Sequence, residues 1–383
     1  MSRLKLEETT CYEKKLYRKI RKKLRATYAI FKQRSFRRRL KLLIACVCGI
    51  IRKKKPHMSC LGYGLPQKIT AHSQEKKIKG FLENKWFAHD TFYVPFINEV
   101  LQDIFTIRRY QQQIKLVIDG SKMGNSHMAL MISLWFEGRG IPLVWEVQKK
   151  PKGHFKASDH IALLHQANGL LHDHLSGQQQ VIFMGDGEFD GPELQQVCTS
   201  LGWDYVFRTS CNSVFYENGN RFQPKDLAVD KNHNFHFVAD TEFTERRHKH
   251  VNFVLWHEEQ YEQPLPLISN LHEPIDIIDS YQCRYSIEGM FKDMKSTTFN
   301  LHKTRLTKAQ SIANLILVAA IALILTIKIG HKYQDSPLRP YINRVRNGKV
   351  VNTLISFGRD FIDYALDHGE KFNFFYIFSK NSP

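Results

Sequence analysis

Apolar positions are sparse over residues 1–40, where Leu, Tyr and Phe are interleaved with clusters such as Arg37-Arg38-Arg39. That texture predicts a cationic helix. Residues 42–51 form an unbroken apolar run and predict a second helix. A connection containing Gly62, Gly64 and Pro66 leads to a helix over 73–86, with Ser73-Gln74-Glu75-Lys76 as its N-terminal capping pattern. Residues 94–107 are amphipathic. From residue 114 the period changes to that of strands: 114–119, then 128–137 and 141–148 joined by Gly138-Arg139-Gly140, then 180–186 and 204–208. Helical periods fall between them at 158–175 and 191–201. Residues 211–270 alternate irregularly and read as β-rich. Three helical patterns close the chain: 277–295, the apolar run 311–327, and 357–366.

On the 277–295 helix, a stripe about 60° wide carries Tyr281, Arg284, Glu288 and Lys295. Cys283, Ile287, Met290, Phe291 and Met294 make a separate apolar face. A carboxylate flanked by cations along the edge of a buried helix suits a polyanionic substrate handled with a metal ion. An ordinary solvated face with i,i+4 charges gives the same pattern.

Charge sharpens this picture. Residues 1–57 hold 20 Lys/Arg against Glu7, Glu8 and Glu13, a balance of +17 within a total of +19. A basic head on a nearly neutral body predicts a phosphate-tracking surface. Lys76, Lys77 and Lys79 on the following helix fit a helix-turn-helix-like DNA reader. Seven cysteines without a CxxC pair predict a reducing cytoplasm, with Cys46 and Cys48 as core thiols rather than zinc ligands. The run 311–327 is uncharged but shorter than the roughly 20 residues of a spanning helix, so a buried core helix is expected and no membrane partner.

Two apolar strands each end at an acid before glycine, Asp119-Gly120 and Asp186-Gly187. Neighbouring strands can set such carboxylates side by side, although the same motif is common in turns. Glu288 would complete a three-carboxylate cluster suited to Mg²⁺. The histidines, among them His233, His236, His248 and His250, show no HExxH spacing and read as surface residues.

The spacing Tyr281-x2-Arg284-x3-Glu288-x6-Lys295 resembles the YREK signature of bacterial insertion-sequence transposases of the insertion-sequence-four family. Asp119-Gly120-Ser121, the strand pair in 132–147, GDGEFD at 185–190 and YVFR at 205–208 are similar to that family's other blocks. The resemblance covers roughly residues 40–330. It implies an α/β fold with a ribonuclease H-like catalytic core, a β-rich insertion, a basic helical N-terminal DNA-binding domain and a helical C-terminal segment. The expected units are 1–110, 111–210, 211–270, 271–330 and 331–383. By the same resemblance, Asp119, Asp186 and Glu288 bind two Mg²⁺ ions, with Mn²⁺ able to substitute. Tyr281, Arg284, Lys295 and Arg208 hold DNA, and Trp256 is the base-flipping wedge. Gly187 departs from the family, where Arg commonly follows the second Asp, and Asp190 competes with Asp186. The implied activity is cut-and-paste transposition by a homodimer on double-stranded DNA, in a bacterial cytoplasm at the nucleoid. A catalytically inactive DNA-binding derivative and a membrane-anchored basic protein are the other readings.

Overall fold

Ten strands pair into a single sheet in the computed structural model, which describes residues 3–65, 69–150, 153–229, 234–258, 262–375 and 378. Pro66 of the expected connection and His233 lie outside the described residues. The strands are β1 (Gln113–Met123), β2 (His127–Phe136), β3 (Arg139–Lys149), β4 (Gln180–Gly185), β5 (Asp204–Arg208), β6 (Phe215–Glu217), β7 (Asn220–Phe222), β8 (Phe235–Phe243), β9 (His248–Trp256) and β10 (Leu265–Ser269). Their order is β3-β2-β1-β4-β5-β10-β9-β8-β6-β7. β1, β4 and β5 run parallel, and the remaining neighbours are antiparallel. In β4 five consecutive residues are buried, as a central strand covered on both faces requires.

Two local expectations are corrected. β1 does not stop at Asp119; it continues to Met123 because β2 keeps pairing with it as far as Met123–His127. The β2–β3 connection is Glu137-Gly138, both at positive φ (51° and 70°), so Arg139 and Gly140 already belong to β3. Two residues at positive φ are what a tight hairpin turn demands. The β-rich stretch extends the central sheet, since β10 pairs with β5 and carries β9, β8, β6 and β7 outward.

The N-terminal part also differs. Two helices, Arg3–Thr27 and Arg34–Lys53, replace a single helix over 1–40 followed by a separate one. Leu16, Ile20 and Leu24 recur every four residues and are fully buried, so the first helix has an apolar stripe despite its charge. The next long helix is Ala71–Leu82, capped by Thr70, whose hydroxyl accepts from Ser73 N, and not by Ser73 itself.

Ala309–Tyr333 is the axis of the helical layer, and all of residues 315–330 are buried. Its length and composition would suffice to cross a membrane, but here protein covers it. Arg34–Lys53, β3 and Leu354–Asp367 pack against it. Asn314 Nδ2 donates to Leu82 O at 2.8 Å and Lys328 pairs with Asp103, whereas the buried Ser311 hydroxyl has no hydrogen-bond partner among the described residues. Phe357, Phe361, Phe372, Phe374 and Phe378 are buried, so the C-terminal segment is part of the core.

The contact of Ala309–Tyr333 with Leu354–Asp367 depends on two glycines. A Cβ on Gly358 would lie 2.1 Å from Thr326 O, and one on Gly330 would lie 2.1 Å from Leu354 O. Both obstacles are backbone, so the helices would have to separate. Gly358→Ala is therefore expected to destabilise the protein by roughly 1–3 kcal/mol or more, read as a lower melting temperature. An unchanged melting temperature would refute the close helix contact.

Candidate active site

Val117 of β1 pairs with Met184 of parallel β4. Asp119 and Asp186 each lie two residues further along, so they stand at the same level, Asp119 within β1 and Asp186 just past the end of β4, on neighbouring strands about 4.8 Å apart. β4 ends at Gly185 while β1 continues, which opens the sheet beside Asp119. Asp119 Oδ1 accepts from Gly120 N at 2.7 Å, and Asp186 Oδ1 accepts from Glu188 N at 3.0 Å. Each carboxylate thus has one oxygen tied to the backbone.

The expected single helix over 277–295 is two helices, Pro274–Gln282 and Tyr285–Lys292, followed by a wider turn over Asp293–Thr297. At the break, Arg284 N bonds Tyr281 O and Ile287 N bonds Arg284 O, a tightened i→i+3 pattern. Ile287, Met290, Phe291 and Met294 are buried, as the apolar face predicts. Glu288 is exposed and lines an open cleft of about 370 Å³ with Asp119, Ser121, Lys292, Lys295 and His302.

Electrostatics link these groups. Asp119's carboxyl is pushed up to about 7, chiefly by burial and then by Asp186, with Glu288 adding to the rise and Arg284 opposing it. Lys295 Nζ donates to Ser121 Oγ at 3.0 Å. Burial lowers the Lys295 ammonium below its ordinary range, against the pull of Asp119. Burial raises Tyr281 to about 12, against Arg284 and Arg208. Arg284 is buried, pairs with Glu288, and lies 5.7 Å from the Tyr281 ring centre and 5.1 Å from that of Tyr285. Burial works against its charge, but Tyr281, Glu288 and Asp119 outweigh that and hold it above its usual range.

Among the described residues no group of three or more His, Cys, Asp or Glu side chains forms a metal cage. Of the three carboxylates expected as metal ligands, Asp186 and Glu288 both act on the charge of Asp119, but Glu288 is turned onto Arg284. The donor set still fits a hard divalent cation, which takes carboxylate oxygens. Two adjacent carboxylates, one of them held protonated up to about pH 7 by its surroundings, form a site that a cation would relieve.

Asp190 is not the equal of Asp186. Its carboxylate accepts from Thr209 Oγ1 at 2.6 Å, and it lies beyond the strand register. Arg208 ends β5 with its side chain exposed. Gly187 is exposed, and a Cβ there would meet only Arg208 O, at 3.9 Å, so no steric reason excludes a side chain. Lys76, Lys77 and Lys79 are exposed on Ala71–Leu82. Trp256 is 4% exposed at the end of β9, so the wedge expected there is not presented to a ligand. Trp256→Ala is expected to cost about 3–5 kcal/mol of stability, checked by denaturation. A loss of DNA processing with an unchanged melting temperature would restore the wedge role.

Glu188 was missed by the sequence reading although it lies within GDGEFD. Its carboxylate accepts from Phe155 N at 2.6 Å and lies 2.7 Å from His154 Nδ1 and 3.4 Å from His160 Nε2. It ties the loop before the helix Ala157–His172 to the Asp186 loop. Trp86, 63% exposed on the loop after Ala71–Leu82, was also passed over.

Residues 156–325 match the family described as a transposase DDE domain. The matched segment is under half of the chain and contains Asp186, Arg208 and the whole Tyr281–Lys295 set, while Asp119 lies before it. The match supports a DDE transposase, and the mixed sheet with Asp119 and Asp186 on adjacent parallel strands fits a ribonuclease H-like core. No curated protein matches the chain. Among solved structures, the chain is similar at 11% identity to the Kluyveromyces polysporus Argonaute with a guide RNA, with a TM-score of 0.21 over 68% of this chain and 34% of that one. It is also similar at 11% identity to the C-terminal lobe of a budding yeast Argonaute, with a TM-score of 0.22 over 76% and 63%. The chain therefore spans less than two thirds of either structure, and likenesses this distant say nothing of function.

Proposed function

We propose that the chain is an insertion-sequence transposase of the YREK-bearing kind, which moves its element by cut and paste. The observations that carry this reading are the β1–β4 register, which runs to Val117–Met184 two residues before Asp119 and Asp186, the cleft that Glu288 lines with Asp119, and the match over residues 156–325. Asp119, Asp186 and Glu288 would hold Mg²⁺ or Mn²⁺. Bound there, the cations supply Lewis acidity and lower the pKa of the attacking hydroxyl or water.

The chain's own groups position the DNA. Lys295, beside Asp119, faces the scissile phosphate, and Arg208 approaches from β5. Tyr281 is too deeply buried to grip a phosphate itself and instead supports Arg284. A phosphate arriving at Arg284 would compete with Glu288 for the guanidinium and free that carboxylate for the cleft. End nicking, hairpin formation, hairpin opening and strand transfer are then successive phosphoryl transfers at one centre, dominated by positioning and charge. The N-terminal basic helices and Lys76, Lys77 and Lys79 bind the element ends. The active form is a homodimer on two ends, working at the bacterial nucleoid.

The test is incubation of the purified protein with a plasmid bearing the inverted repeats that flank its own coding region, with Mg²⁺ and with EDTA. Mg²⁺-dependent nicks and hairpins at the repeat ends are expected, and their loss in Glu288→Gln. Tight end binding with no cutting under any divalent metal would replace this reading by that of an inactive DNA-binding derivative.

A further inference from the structure

His302 lines the cleft with Asp119, Ser121, Glu288 and Lys295, while Asp186 does not. It therefore stands on the Asp119–Glu288 side of the carboxylates, and nothing in the chemistry above uses it. Its imidazole is exposed, yet its backbone is pinned in the single 3₁₀ turn Leu301–Lys303. Phe299 and Leu301 are buried on either side of Asn300, which is at positive φ (56°) and donates from Nδ2 to Lys54 O at 2.9 Å. On the other flank Thr304 N bonds Leu301 O at 3.0 Å, and a Cβ on Gly124, in the turn after β1, would lie 3.1 Å from Thr304 Cγ2. The turn is fastened at both ends before any ligand arrives.

The ring is oriented as well, because its Nδ1 bonds Lys295 O. A carbonyl oxygen only accepts, so Nδ1 carries the hydrogen. Nε2 is left as the lone pair of the neutral ring, or as a second donor in the cation. Lys295 in turn donates to Ser121 Oγ at 3.0 Å, so the imidazole and the ammonium are both tied to the strand that carries Asp119. The other groups in the cleft are of different kinds. Asp119 and Glu288 are assigned to the cations, and Lys292 and Lys295, as ammonium groups, have no lone pair to accept a proton.

Across the successive phosphoryl transfers, the 3′ oxygen of the element end changes role. It leaves phosphorus in end nicking, attacks in hairpin formation, leaves again in hairpin opening and attacks in strand transfer. A single group serving that oxygen must give a proton when it leaves and take one when it attacks. Imidazole does both near neutral pH. We propose that His302 is a further catalytic residue, which exchanges this proton through Nε2. In nicking, a water oxygen bonds to phosphorus, the P–O3′ bond breaks, and the Nε2 proton goes to the departing O3′; the proton of the water passes to solvent. In hairpin formation, O3′ bonds to phosphorus of the opposite strand and returns its proton to Nε2. The bond to the flanking strand breaks, and the flanking oxygen takes a proton from solvent. Hairpin opening and strand transfer repeat the exchange. The assignment rests on the transposase reading.

The experiment uses the full chain in single-turnover nicking of a labelled element end. Two substrates are compared, one with the natural oxygen and one with sulfur at the bridging 3′ position, since a thiolate departs without a proton. His302→Asn keeps an amide donor where Nδ1 stands, so the bond to Lys295 O can be retained, and it loses the exchangeable proton. Relative to the wild type on the same substrate, the variant is expected to cut the oxygen substrate roughly 10²–10⁴-fold more slowly and the sulfur substrate almost as fast. Affinity for the end, read by fluorescence anisotropy, should not change. Equal slowing on both substrates overturns the proposal, because His302 would then act only by placing Lys295 or the DNA. So does an oxygen substrate cut at the wild-type rate. Failure of the parent reading looks different: the wild type itself would cut neither substrate with any divalent metal, which removes this role along with it.

Discussion

Asp119→Asn and Asp186→Asn are each expected to lower the rate of end cleavage by roughly 10³-fold or more, with affinity for the element ends kept or raised. The two carboxylates lie at one level on adjacent parallel strands, so either substitution removes half of the central oxygen pair. Asparagine keeps the shape and the backbone bond of the lost side chain, and it removes negative charge from a site that must accept DNA. The double variant should be scarcely worse than either single one, because groups that act as a unit are not additive. Glu288→Gln is expected to fall in the same range. Single-turnover cleavage of a labelled end measures all of these. Activity within about tenfold of wild type in Asp186→Asn would move the role to Asp190, which Asp190→Asn would then reveal.

The second large effect concerns stability and pH. In the folded protein Asp119 titrates near 7, whereas in an unfolded chain it titrates near 3.9. Between those values the fold holds a proton that the unfolded chain has released, so stability falls as pH rises from about 4 to about 7, and the cost is fully present above that. Asp119→Asn removes the cost. It is expected to stabilise the metal-free protein at pH 8 by on the order of 2–4 kcal/mol and to have little effect near pH 4. A divalent cation acts on the same group with the opposite pH dependence. Mg²⁺ should raise the wild-type melting temperature more at pH 8 than at pH 6, where protons compete, and should do little for Asp119→Asn. Thermal melts in EDTA and in Mg²⁺ measure both effects without reference to cleavage. A destabilised Asp119→Asn at pH 8 would show that the carboxylate is satisfied by the fold and does not await a cation.

Much of the site was legible because it rests on local patterns. β4 and β5 are short apolar runs bounded by turn residues, and the apolar face over 283–294 is buried except for a half-exposed Cys283. What escaped depends on pairing across the chain. β1 runs past Asp119 only because β2 follows it. The bend at Cys283 and Arg284 keeps both residues helical in φ and ψ, so periodicity cannot reveal it. Arg284 was read as a phosphate grip and Glu288 as a metal ligand, but with Arg284 buried the two form an i,i+4 pair closed on each other at rest. Trp256 could have been placed better. It ends six consecutive buried residues in β9, and VNFVLW lacks the polar alternation of a strand with one wet face.

The glycine contact of Ala309–Tyr333 with Leu354–Asp367 also sets an order of events during synthesis. A nascent chain that has released the first of these helices but not the second carries a long apolar surface with no cover on that side. At ribosomal speeds the gap lasts on the order of seconds. During that interval the chain is a natural client for chaperones, and a ribosome stalled between the two helices leaves a product suited to proteolysis. Premature termination there would therefore remove the protein from the cell rather than leave a truncated DNA binder to occupy the element ends.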